Sequence, residues 1–203
     1  MKIDVRSNIK EVTRQMRKVV KEQVPKAVSI AIDQVAMAAR RDMEEHILQE
    51  VDNPVAFTKK ATFFSGSSKN RLPVTATVGI KDKQAEYLNY VEHGGTSAAK
   101  GTAKPVPTSK MKNKFGNIPR GKISRILKKR SKYFSGVPKG SDRPAGVYQR
   151  MGSKKNPKLR MLASWKKSTH HSPRMRLAEI VQRRVNRDMN KQLRKTFAKY
   201  VSN

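Results

Sequence analysis

Cysteine is absent from the 203 residues. That excludes disulfides, zinc ribbons, thiolate nucleophiles and iron–sulfur clusters, and leaves four histidines as soft metal ligands. Acidic residues are scarce, with 15 Asp+Glu against 46 Lys+Arg and a formal charge of +31, a balance foreign to an ordinary small cytosolic enzyme. Long apolar runs are missing too. The longest, Ala27 to Ala39, is broken by Asp33 and Gln34 and falls short of the ~20 residues of a bilayer span. Lys2 leads into a charged amphipathic segment, unlike the apolar run of a signal peptide. No membrane partner is expected, and the protein should stay where it is made. Leu, Ile, Val and Phe together number 42 of 203, just above the ~20% at which a highly charged chain is expected to be disordered. The core should be modest, and the length suits one domain or two small ones.

The charge is unevenly placed. Residues 1 to 100 hold 17 Lys+Arg and 12 Asp+Glu, whereas residues 101 to 203 hold 29 and 3. Self-repulsion of that size opposes a compact state unless a counter-charge is supplied, so the second half calls for a polyanion or an acidic protein surface.

Ser7 is a candidate N-cap, and Ile9, Val12, Met16 and Val19 recur at helical steps after it. Pro25 predicts a break or kink before a second helix to about Val51, striped by Val28, Ile32, Val35, Ala39, Met43 and Ile47. Ala31, Ala36 and Ala38 flank that stripe and would let another element approach closely. Asp52-Asn53-Pro54 ends it, and a polar loop from Lys59 to Asn70 carries Phe63 and Phe64. Leu72 to Ile80 alternates as a strand does, with Pro73 at its start. Ala85 to Val91 is a short apolar-aromatic element, and residues 94–117 predict a long loop. A third helix opens at Asn117-Ile118-Pro119, with Ile123, Ile126 and Leu127 inward. Tyr133-Phe134, Gly146-Val147-Tyr148 and Leu159 to Trp165 predict short strands of an antiparallel meander. Ser172-Pro173 predicts the start of a helix running almost to Val201. Its apolar residues from Leu177 to Val201 fall every four positions, a stripe that drifts about 40° per step, so its two ends face different neighbours. The fold class is α+β: an N-terminal helix pair and a long C-terminal helix packed on a small antiparallel sheet, with long basic loops. One domain, 1–203, is expected, divided into 1–52 helical, 53–93 strand-containing, 94–117 loop, 118–170 basic helix and short strands, and 171–203 helix.

Candidate chemistry is thin. Glu92-His93 has no second positioned group nearby in sequence, and His170-His171 lacks an i, i+4 ligand and reads as an exposed linker. Gly94-Gly95 and Gly101 are not followed by the Lys-Ser/Thr of a phosphate loop. No catalytic residue, metal site or cofactor is therefore assigned. The basic runs Lys128-Lys129-Arg130, Lys154-Lys155, Lys166-Lys167 and Arg183-Arg184 could contact phosphates or an acidic partner. Tyr133, Phe134, Tyr148 and Trp165 lie among them, where the strand pattern could equally bury them.

Two stretches carry a resemblance. Val24-Pro25-Lys26-Ala27-Val28-Ser29-Ile30-Ala31-Ile32-Asp33-Gln34-Val35-Ala36 resembles the opening of the minor tail protein Z family of lambda-like phages. Tyr87-Leu88-Asn89-Tyr90-Val91-Glu92-His93-Gly94-Gly95-Thr96 is similar to the signature of the related tail-completion and neck-protein superfamily. The resemblance implies a virion structural protein of the head–tail junction, made in the host cytoplasm, forming a homo-oligomeric ring that meets other neck, tail and portal proteins. Contact with packaged DNA would be non-specific. Phe63, Phe64, Tyr87, Tyr90, Glu92, Gly94, Gly95, Met189, Leu193 and Phe197 are then candidates for subunit or partner contact, with Glu92 and the Gly94-Gly95 turn fixing the loop that follows, which would order only in the assembly. A basic nucleic-acid-binding structural protein, ribosomal-like or nucleoid-like, is the alternative.

Overall fold

The computed structural model describes residues 9–67, 73–153 and 156–200. The fold is α+β, helices with small antiparallel sheets. Where one domain is expected over 1–203, contacts gather in two compact units, each assembled from separated stretches of chain. The first comprises Met1–Ile47, Lys59–Ala85 and Arg176–Asn203, the second Leu48–Thr58 and Glu86–Met175.

In the first unit α1 (Ile9–Lys18) passes through a π-helical turn (Val19–Gln23) into α2 (Val24–Glu50). The break expected at Pro25 is therefore a widened turn. Proline has no N–H and its ring clashes with the carbonyl four residues back, and a π turn relieves that clash without ending the helix. The Val24 N–H donates to Val19 O, five residues earlier. The fully buried face of α2 is Ala27, Ala31, Val35, Ala39, Met43 and Ile47, so alanines take the places expected of Val28 and Ile32, which are half-buried. Buried Ser29 shares a 2.6 Å hydrogen bond with Ser67, whose N–H donates to Asp33 at 2.8 Å.

The supposed loop around Phe63 and Phe64 holds a strand, β1 (Thr62–Ser65), paired antiparallel with β2 (Thr77–Ile80). Phe63 faces Gly79 across the pair, and its ring fills the space a side chain at Gly79 would need. Residues 73–78 alternate exposed and half-buried as predicted, although pairing begins only at Thr77. Helix α6 (Leu177–Tyr200) runs antiparallel to α2: Arg184 pairs with Asp42, and the Lys26 ammonium lies 5.4 Å over the Tyr200 ring.

The second unit takes up α4 (Asp82–His93) from Glu86 onward, a helix where the sequence shows only a short apolar element; the short α3 (Ala56–Lys59) precedes it. Its sheet has the order β4 (Lys104–Pro107), β7 (Pro157–Lys166), β6 (Gly146–Gly152), β5 (Tyr133–Gly136), all antiparallel. Strands β5, β6 and β7 are the predicted meander. Residues 94–117, expected as loop, supply β3 (Gly95–Ala98) and β4. Pro105 and Pro107 hid β4, yet proline is tolerated on an edge strand, which β4 is. Helix α5 (Lys122–Leu127) packs Ile123, Ile126 and Leu127 against Met111, Val147, Leu162 and Ala163, as the periodicity predicts. Strand β8 (Ser168–His171) pairs with β3 where a linker was expected. The predicted helix start at Ser172-Pro173 moves to Leu177, because Arg176 at φ 47° interrupts a right-handed helix; the preceding Arg174 and Met175 N–H groups donate to Val91 O at 2.8 and 3.3 Å.

Candidate functional site

The Tyr87–Thr96 signature folds as a built turn. Leu88 is 1% exposed and anchors α4, and the chain then reverses through Gly94 (φ 74°) and Gly95 (φ 108°) into β3. A Cβ on Gly94 would lie 2.9 Å from Pro173 Cδ and 3.1 Å from His171 O, so the turn is clasped by the segment that follows β8. Tyr87 Oη and Thr58 Oγ1 share a 2.9 Å hydrogen bond, and the Tyr90 ring lies 5.7 Å from that of His171. Glu92 is half-buried beside the turn.

Ser97 joins this turn to the sheet. Its Oγ lies 3.0 Å from His171 Nε2, and Lys104 Nζ donates to Ser97 Oγ at 2.6 Å and to Ser97 O at 3.0 Å. A serine between an imidazole and an ammonium has the parts of an activated nucleophile. The three groups tie β3, β8 and β4 together. Neither Ser97 nor Lys104 is singled out by the sequence, because Ser97 meets His171 only through strand pairing across 74 positions and Lys104 reaches Ser97 from a different sheet. At the rim, Lys100 donates to Glu86 at 2.8 Å; the ammonium holds the Glu86 carboxyl below its ordinary range, and the carboxylate raises Lys100. Among the described residues no group of three or more His, Asp or Glu is placed to hold a metal ion, and no helix is long and apolar enough to cross a membrane.

The other predicted contact residues lie in the first unit. Phe63 and Phe64 are half-buried on β1, and Met189, Leu193 and Phe197 are half-buried along α6. Met189 joins Val181 and Val185 in lining an apolar groove of about 450 Å³, whose other walls are Ile32, Val35, Ala36 and Ala39 of α2 and residues 74–78.

Of the predicted basic contacts, Lys128, Lys129, Arg130, Lys166, Lys167 and Arg183 are exposed. Lys154 and Lys155 lie outside the described residues. Arg184 is already engaged: Asp42 first and then Asp188, at 2.8 Å, raise its pKa, and Arg184 in turn lowers that of Asp188, helped by Arg187. It braces α2 against α6 and offers little to an outside anion. The aromatics among the charges are mostly packed. Tyr148 is fully buried and stacks on Phe134 at 5.4 Å, with the Arg150 guanidinium 4.6 Å over Phe134. Trp165 is half-buried and donates to Ser135 Oγ at 3.0 Å. No protein-family model, no curated protein and no solved structure matches this chain.

Proposed function

We propose that this chain is a structural protein of the phage head–tail junction, a tail-completion or neck subunit that assembles as a ring between the tail and the portal complex and catalyses no reaction. The observation that carries the reading is the signature-like stretch Tyr87–Thr96. Its glycines serve a tight, clasped turn, and its aromatic residues serve packing and hydrogen bonds around that turn. A surface of exposed lysines and arginines over the second half suits docking on acidic neck proteins or lining a channel that carries DNA. Half-buried apolar side chains along α6 and its groove suit neighbouring subunits.

The direct test is antibody labelling of virions of the phage that encodes the chain. Label at the junction between head and tail supports the reading, and its absence from purified virions overturns it. The +31 charge favours the alternative, a nucleic-acid-binding basic protein. Light scattering after size-exclusion chromatography at about 0.5 M salt, with and without duplex DNA, separates the two. A neck subunit ignores the duplex at that salt, whereas a stoichiometric complex that survives establishes nucleic-acid binding, because screening weakens phosphate contacts steeply.

A further inference from the structure

Residues 101–175 carry 21 Lys+Arg and a single carboxylate, Asp142. The surface they make is complementary to an anion. The same unit holds a pocket of about 550 Å³, walled by Ala103, Ala145 and the Trp165 indole, with Thr102 and Lys167 as its polar side chains. Trp165 packs against the sheet's core of Met111, Val147, Leu162 and Ala163, and its Nε1–H donates to Ser135 Oγ at 3.0 Å. The ring is thus fixed in place, and the two alanines leave room beside it. A rigid indole with small neighbours is the form of an acceptor for one bulky side chain.

The charge around the pocket is of one sign. The stretches that build it, 99–104, 139–146 and 164–168, carry six Lys+Arg against Asp142 alone. Lys166 stands directly opposite Lys104 across β7 and β4, a like-charge pair that opposes folding, and the Lys104 ammonium is held by Ser97. Glu86 reaches Lys100 from α4 and takes up that one cation. Lys166 and Lys167 remain exposed. An acidic protein and a nucleic acid both answer this charge, and the pocket walls separate them. A nucleobase that filled the pocket would bury edge groups that two alanines and an indole cannot hydrogen-bond, whereas an apolar side chain leaves nothing unpaired.

We infer that the Trp165 pocket is a docking site for an acidic protein segment, which seats one bulky apolar side chain on the indole while its flanking carboxylates meet Lys166 and Lys167. The inference rests on the junction reading and deepens it, choosing acidic protein over DNA as the partner of the basic half.

Trp165 is the chain's single tryptophan, so its emission reports the pocket directly. The full-length protein is titrated at about 0.15 M salt with a peptide of glutamates around a central phenylalanine, with its alanine-centred counterpart, and with an oligothymidylate of similar length. The expected result is a saturable change in emission, with the phenylalanine peptide bound about tenfold tighter than the alanine peptide because it buries far more apolar area. Ala103→Leu, which fills the pocket, should erase that preference. Lys167→Glu should weaken both peptides by about fivefold, with an unchanged thermal midpoint showing that the fold is intact. No saturable change overturns the inference, and so does equal affinity for the two peptides, since charge alone would then do the binding. Tighter binding of the oligonucleotide also overturns it, making the indole a stacking platform. An emission shift on concentrating the protein alone does the same, placing a second copy in the pocket. The junction reading fails separately. A chain absent from virions that still prefers the phenylalanine peptide keeps the site and loses the junction, and a chain labelled at the junction without that preference loses only the site.

Discussion

At the residue scale, Gly94 and Gly95 separate two reasons for glycine. Both have positive φ, but a side chain at Gly95 meets open space while one at Gly94 meets Pro173 and His171. Gly95→Ala should cost only the backbone penalty, about 1–2 kcal/mol. Gly94→Ala should cost more, because the clasp must also open. Urea unfolding midpoints check the order, and equal losses would mean that the clasp contributes nothing. Arg184 is the other instructive residue. Arg184→Met should lose about 2 kcal/mol, because Asp42 is left without its hydrogen-bonding cation while Asp188 keeps only Arg187. Asp188 titrates below its ordinary value in the folded chain, so its share of stability is present above the usual carboxylate range and is lost as pH falls through the lowered value. Acid unfolding of Arg184→Met should therefore show a flatter limb below about pH 4 than the parent. The glycine pair was visible in the sequence as a turn. What presses on Gly94 was not, because Pro173 is 79 positions away. For the same reason Arg183-Arg184 reads as two free charges until α2 brings Asp42 beside one of them.

At the scale of elements, periodicity located α2, α5, α6 and the β5–β6–β7 meander, because each has enough turns or alternations for its buried face to repeat. The misplaced elements are short or start against their local signals. Strands β3 and β4, four residues each, are rich in glycine, alanine and proline, and exist because a partner strand supplies their hydrogen bonds. Helix α6 begins five residues late because Arg176, at φ 47°, takes a left-handed conformation that a right-handed helix cannot include, while Arg174 and Met175 dock on Val91 O. On α2 the buried alanines make a specific forecast. Ala31→Leu, at a fully buried position, should destabilise by about 1–3 kcal/mol through overpacking. Gln34→Leu, exposed on the same helix, should stay within about 0.5 kcal/mol. Thermal unfolding of the two variants side by side tests this, and a tolerated Ala31→Leu would mean that the helix can shift away from its neighbours.

At the scale of the whole molecule, the excess of 31 positive charges sets the behaviour. Raising sodium chloride from about 0.05 to about 0.5 M shortens the screening length from roughly 14 to roughly 4 Å and should raise the thermal midpoint by a few degrees, since self-repulsion is relieved. A midpoint that does not move would mean that the charges are spaced widely enough to be screened already. Composition determined this charge and the lack of thiol chemistry, and short-range periodicity the α+β class, because neither counts nor periodicity depend on what lies across the fold. The tertiary structure decided which glycine is clasped, which arginine is committed, that residues 94–107 contain strands, and that an apolar groove lies open beside α2 and α6. Each of these depends on atoms brought together from distant stretches of chain, and no local pattern encodes such a meeting.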